Sequence, residues 1–165
     1  MSALAGPRPA FARRRGAGAS IGGTLVAAVV FGLDWVTKSA VESSIKPGEE
    51  RRFLPGVQLV HTSNPGVAFG LFAKAGVALT VAVAAAVIAV LLVFARRSQS
   101  RVAWLPIGMV IGGALGNVVS RLRHGAVTDF VKLPLGWPPF NLADAAITVG
   151  VVLLVLLSGW SSKER

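Results

Sequence analysis

Gly76 to Ala95 is a run of about twenty residues without one charge. A helix rises about 1.5 Å per residue, so this run is as long as the hydrocarbon core of a bilayer is thick. Three further apolar runs share its character: one from near Ile21 through Val36, one from about Val102 to Val119, and one from near Leu142 to Trp160. The chain is 53% hydrophobic and only 15% charged, too apolar for an ordinary soluble domain of 165 residues. The pattern predicts an all-α integral membrane protein with four transmembrane helices in one domain spanning 20–161. A disordered basic tail over 1–19 and a short C-terminal tail over 162–165 are expected to flank it.

The first run follows a basic head that contains Arg13, Arg14 and Arg15, an order that secretory signal peptides share. It flows directly into Asp34, Trp35 and Lys38 with no small-residue cleavage site, so a retained span is expected. Residues 42–66 are polar and are broken by Pro47, Gly48, Pro55, Gly56 and Pro65. Between them, Val57 to Thr62 has strand-like composition, which predicts a small extracytoplasmic β-like cradle between the first two helices.

Four spans put both termini on one side. Arg8, Arg13, Arg14, Arg15, Arg96, Arg97, Arg101, Lys163 and Arg165 then share that side, nine of the 17 basic residues. The arginine tail and the short turn after the second span make it the cytoplasmic side by the positive-inside rule. The net charge of +10 fits orientation and contact with anionic membrane lipids. Nucleic acid is not an expected partner, because no basic face with interleaved aromatics is visible. The absence of cysteine excludes disulfides, thiol catalysis and cysteine metal sites.

With that topology, Asp129 and Asp144 lie at the outer face, next to the last two spans and joined by a loop of about fourteen residues. An ionised carboxylate near hydrocarbon is costly and marks a functional candidate. Two brought together share a proton and split their pKa values, as acid–base hydrolysis requires. His61 and His124 have no motif around them, which leaves no Ser–His or Cys–His set. The aspartate pair supplies a base for water and an acid for the leaving amine, and needs neither metal nor cofactor.

Other residues carry two readings each. Asn141 and Asp144 have the spacing of an N-cap and its third helical position, a capping arrangement that would also place a carboxylate at a helix N-terminus. Asp34 and Lys38, four apart, can pair on one helix face. Asn64, in Asn64-Pro65-Gly66, suits a tight turn or, if buried, an amide that holds substrate backbone. Asn117 and Arg121 sit four apart at the outer end of the third span, where Arg121 can anchor a carboxylate or a lipid head group. Gly108, Gly112 and Gly116 form a smooth stripe, either for close helix packing or as a wall along which a substrate slides. Such a stripe can pack within one chain, so a monomer is expected.

Five stretches, in order, resemble those of signal peptidase II, the prolipoprotein signal peptidase family of bacteria. They are Leu33-Asp34-Trp35-Val36-Thr37-Lys38; Asn64-Pro65-Gly66-Val67-Ala68-Phe69; Gly112-Gly113-Ala114-Leu115-Gly116-Asn117 with Arg121; Gly125-Ala126-Val127-Thr128-Asp129-Phe130; and Phe140-Asn141-Leu142-Ala143-Asp144. The resemblance implies an intramembrane aspartic endopeptidase of the bacterial inner membrane. Such an enzyme cuts signal peptides from diacylglyceryl-modified prolipoproteins just before the lipidated cysteine, and is inhibited by globomycin. It implies that Asp129 and Asp144 are the catalytic pair, and that Asp34, Asn64, Asn117, Arg121 and Asn141 shape or line the pocket. One position departs: Ser120 stands where the family usually has an aspartate. Two other readings remain to be separated from this one. The first is a small four-span proton-coupled exporter, in which Asp34 would carry protons. The second is a structural or chaperone subunit whose acids only pair with Lys38 and Arg121.

Overall fold

The computed structural model describes residues 10–65 and 102–163, with only 82, 85, 87–89 and 91 between them. The expected second span, Gly76–Ala95, the basic turn after it and Gly66–Gly70 of the asparagine motif lie outside the described residues, apart from those isolated positions. Three helices frame the fold: α1 (Ala10–Ser44), α2 (Trp104–His124) and α3 (Leu142–Lys163). Two stretches, Ile21–Ser44 and Trp104–His124, are long and apolar enough to cross a membrane, and Leu142–Leu157 is a shorter apolar helix. Helix α1 starts at Ala10, inside the segment expected to be a disordered tail.

Beside its buried apolar clusters, the protein exposes long apolar stripes and buries charged groups, unlike a soluble protein. Ile21, Leu25, Val29, Leu33 and Val36 of α1 are each more than half exposed, as are Val152, Val155 and Leu156 of α3. Asp34, Lys38, Arg121, Asp129 and Asn141 are buried instead. Exposed apolar stripes around a polar interior suit a protein whose outer solvent is hydrocarbon.

Helix α2 is central and packs on both α1 and α3. Its glycines make this possible. A Cβ on Gly108 would stand 2.5 Å from the Gly23 carbonyl oxygen, and one on Gly112 2.5 Å from that of Ala27, both on α1. On the other face, a Cβ on Gly113 would stand 2.6 Å from the Ala143 carbonyl oxygen of α3. The glycine stripe is therefore filled by helix packing; it is not a free wall for a sliding substrate. Helix α2 ends at Gly125, whose φ of 74° lets its N–H reach the Arg121 carbonyl at 2.9 Å.

The all-α expectation is incomplete. Strands β1 (Glu50–Leu54) and β2 (Val57–Asn64) form a hairpin where the β-like cradle is expected, and a third strand, β3 (Val127–Lys132), adds antiparallel to β2 in the order β1-β2-β3. The segment after α2 reads as a loop in sequence because its strand partner lies some 65 residues upstream, as in the Thr62↔Asp129 pairing. Phe130 of β3 packs with Val41 and Ile45 of α1, and this small core seats the sheet against the C-terminal end of α1.

Candidate active site

Asp129 sits on β3 and Asp144 in the first turn of α3, so the two acids arrive from a strand and a helix. Asn141, fully buried, joins them. Its Nδ2 donates to Asp129 Oδ1 at 2.6 Å. Its Oδ1 accepts the Asp144 backbone N–H at 3.0 Å, and its own N–H donates to Asp144 Oδ2 at 3.3 Å. The capping arrangement expected from spacing is present, and it doubles as the bridge between the acids. A single residue that touches both carboxylates fixes their relative position.

Further amides complete the shell. Asn64 Nδ2 donates to Asp129 Oδ2 at 2.9 Å, and Thr62 Oγ1 donates to the Asp129 carbonyl at 2.8 Å. Asn117 Nδ2 donates to Asp144 Oδ1 at 2.8 Å. Arg121, buried on α2, donates from Nη1 to the Asn117 carbonyl at 3.5 Å, and its charge interacts with those of Asp144 and Asp129. Arg121 thus belongs to the polar interior, not to an outward head-group anchor. Asn64, Asn117, Arg121 and Asn141 all gather around the two acids, as the motifs imply. Ser120, at the position that departs from the family pattern, is buried on the same helix.

Asp34 stands one step behind. It is 1% exposed, and its Oδ2 accepts from Lys38 at 2.7 Å while its Oδ1 accepts the Ala143 N–H at 2.9 Å. It holds the N-terminus of α3 through the Ala143 N–H. The sequence marks neither Thr62 nor Ala143 for these roles. Strand periodicity around Val57–Thr62 was the one available signal for Thr62, and an apolar stretch offers none for a backbone N–H such as that of Ala143.

Asp129 lies on the sheet, outside the spanning helices. Burial pushes its carboxyl up from 3.8 to about 6, and the negative charge of Asp144 adds to the rise. The amide bonds from Asn64 and Asn141 and the charge of Lys38 oppose it. Asn141→Ala removes the α3 cap and the bridge together. We expect it to lower stability by about 1–2 kcal/mol and peptide cleavage by about 100-fold, read by thermal unfolding and initial rates on the same preparation.

A family model described as Signal peptidase (SPase) II matches residues 26–159. The lipoprotein signal peptidase of Burkholderia thailandensis is 38% identical over 137 residues, which cover 79% of this chain and 82% of that protein. That of Paraburkholderia phymatum is 37% identical over the same shares. Two solved structures, both described as bacterial membrane enzymes determined by the in meso method, have the same fold. The one at 2.3 Å resolution has a TM-score of 0.79 at 25% identity, covering 87% of this chain and 90% of the other. The one at 1.9 Å resolution has a TM-score of 0.73 at 26% identity, covering 81% and 90%. The fold is that of a bacterial membrane enzyme, with apolar spanning helices and a three-stranded antiparallel sheet. Family model, relatives and fold agree with the five sequence motifs: the chain belongs to the signal peptidase II family of aspartic peptidases, the lipoprotein signal peptidases.

Proposed function

We propose that Asp129 and Asp144 are the catalytic dyad of this peptidase, and that it removes signal peptides from diacylglyceryl-modified prolipoproteins before the lipidated cysteine. One observation carries the reading: Asn141 bonds both carboxylates at once. The substrate class follows from the lipoprotein signal peptidases that the chain matches. In this reading four helices span the inner membrane of a bacterium, and both termini are cytoplasmic by the positive-inside count. The dyad lies at the outer face, where the substrate's lipid stays in the bilayer and its peptide bond meets the sheet. Asn64, Asn117, Arg121 and Asn141 surround that bond, and the monomer suffices. Globomycin-type peptides occupy the same cleft.

In the hydrolysis, Asp144 takes a proton from water as the water oxygen attacks the scissile carbonyl carbon. Asp129, the carboxyl with the raised pKa, holds the shared proton, donates a hydrogen bond to the carbonyl oxygen and stabilises the tetrahedral intermediate. The C–N bond then breaks as a proton passes to the departing nitrogen. The amides of Asn64 and Asn141 hold Asp129 for this work.

A pH profile tests the role of Asp129. The shared proton leaves as pH rises through about 6 in the free enzyme. We therefore expect kcat/KM to fall on the alkaline side of about 6. The corresponding limb of kcat lies at higher pH, because bound substrate displaces water from the carboxyl. A kcat/KM that stays flat as pH rises through about 6 in the wild type would show that another group titrates.

The exporter reading draws no support from Asp34, whose oxygens are engaged by Lys38 and Ala143 at 1% exposure. The subunit reading predicts that neutral dyad variants alter assembly and leave peptide cleavage intact, which the same cleavage assay decides.

A further inference from the structure

Lys38 is 4% exposed on α1, and no step of peptide hydrolysis uses its charge directly. Its ammonium stands between Asp34 Oδ2 at 2.7 Å and Asn117 Oδ1 at 2.9 Å. An ammonium only donates, so Asn117 must turn its oxygen toward Lys38. Its NH2 then faces the other way, and there it donates to Asp144 Oδ1 at 2.8 Å. Asn141 repeats the pattern from the opposite end. The Asp144 backbone N–H, also a donor only, holds Asn141 Oδ1 at 3.0 Å. That turns Asn141 Nδ2 toward Asn117 Oδ1 at 3.2 Å and Asp129 Oδ1 at 2.6 Å.

The two faces of an asparagine amide have nearly the same shape, so only its partners set its direction. A network closed at both ends by donor-only groups has one direction, and in it each of the two asparagine amides sends an N–H to a carboxylate of the dyad. We propose that Lys38 is a positioning residue of the hydrolysis: it orients the Asn117 amide toward Asp144, and Asp34 anchors it for that purpose. The proposal rests on the reading of Asp129 and Asp144 as the dyad.

Stability alone does not explain a buried pair of this kind. Replacement of a buried ion pair by neutral side chains of similar volume is often neutral or stabilising. The contact with Asn117 is what a purely structural pair would not need.

The charge of Lys38 also acts on the dyad. Asp129 faces Asp144 from α3, Arg121 from α2 and Lys38 from α1, while Glu42 of α1 accepts from Thr128 beside it. Lys38 favours the ionised form of Asp129. Its removal therefore moves the alkaline limb of kcat/KM to higher pH.

The test is the charge-balanced double variant Asp34→Asn/Lys38→Met, purified in detergent and assayed on a diacylglyceryl prolipoprotein, with Asp144→Asn run alongside. The asparagine at 34 keeps an oxygen for the Ala143 N–H, and the methionine keeps the length of the lysine. We expect unfolding close to wild type, KM within about twofold, kcat down by about 100-fold as the Asn117 amide loses the ammonium that holds its oxygen at 2.9 Å, and an upward shift of the alkaline limb. Wild-type kcat and pH profile in the folded variant overturn the proposal. So does loss of the fold, or a raised KM at unchanged kcat, since either makes the pair structural or a binding element. Turnover by Asp144→Asn would instead remove the dyad reading. An inactive Asp144→Asn beside a fully active double variant would remove only the role of Lys38.

Discussion

Asp129→Asn is expected to abolish cleavage of a lipid-modified precursor while the folded protein becomes more stable than wild type above pH 6. In the proposed mechanism the loss follows from the shared proton assigned to Asp129. Without it the carbonyl oxygen has no acid, and removal of a positioned acid or base lowers rate by about 10²- to 10⁴-fold. The gain follows from linkage. Burial raises the Asp129 carboxyl from 3.8 to about 6, so the folded state binds a proton that the unfolded chain has released. The contribution of this group to stability is fully present below 3.8 and is lost as pH rises through about 6. Above that point the wild type carries an ionised carboxylate that its burial disfavours, a penalty of about 1–3 kcal/mol. Asparagine does not ionise, and Asn64, half-buried, can turn its oxygen to the new NH2 group. Thermal unfolding in detergent across this pH range should show the variant gaining on wild type between 3.8 and about 6 and holding its lead above. Turnover within about tenfold of wild type would contradict the catalytic role.

Gly116→Ala should be among the most damaging single-methyl additions in the chain. A Cβ built at Gly116 overlaps Asp34 Oδ2 and lies 3.1 Å from its Cγ. Asp34 cannot retreat: Lys38 holds one oxygen at 2.7 Å and the Ala143 N–H holds the other at 2.9 Å. One of those bonds must break, which leaves a buried charge or a helix N-terminus without its partner. Breaking a buried pair costs about 3–5 kcal/mol. Gly32→Ala is the matched control, because nothing lies within 4 Å of a Cβ at that position. There alanine is neutral or stabilising by up to about 1 kcal/mol through helix propensity. Denaturation midpoints of the two variants should separate widely. Equal tolerance would mean that Asp34 is not clamped.

The spans at Ile21–Ser44 and Trp104–His124 and the two acids were legible because both are local signals. A long apolar run declares a membrane helix whatever surrounds it, and carboxylates beside such runs stand out by their cost. The Asn141–Asp144 cap was legible for the same reason, since three-residue spacing defines it. Strand β3 was not. Its six residues carry an aspartate and a lysine, its first residues are buried on both faces, and its partner β2 lies far upstream, so neither alternation nor a turn signal marks it. The glycine stripe of α2 was legible as smooth but ambiguous, because a bare helix face looks alike whether a helix or a substrate meets it. The roles of Asp34 and Lys38 were half visible. Their four-residue spacing announces the pair, but only the packing of α1 against α2 and α3 brings it to Asn117 and Ala143. The bridge through Asn141 needed β3 as well, since without the strand Asp129 has no fixed position.

A double-mutant cycle on the dyad tests the account most directly: Asp129→Asn, Asp144→Asn and the pair together, each folded in detergent and assayed for single-turnover cleavage of a diacylglyceryl prolipoprotein. Two carboxylates that work as one unit predict that each single variant loses about as much rate as the double. Substantial turnover in either single variant, or losses that multiply in the double, would mean that the acids joined by Asn141 do not act together on the peptide bond.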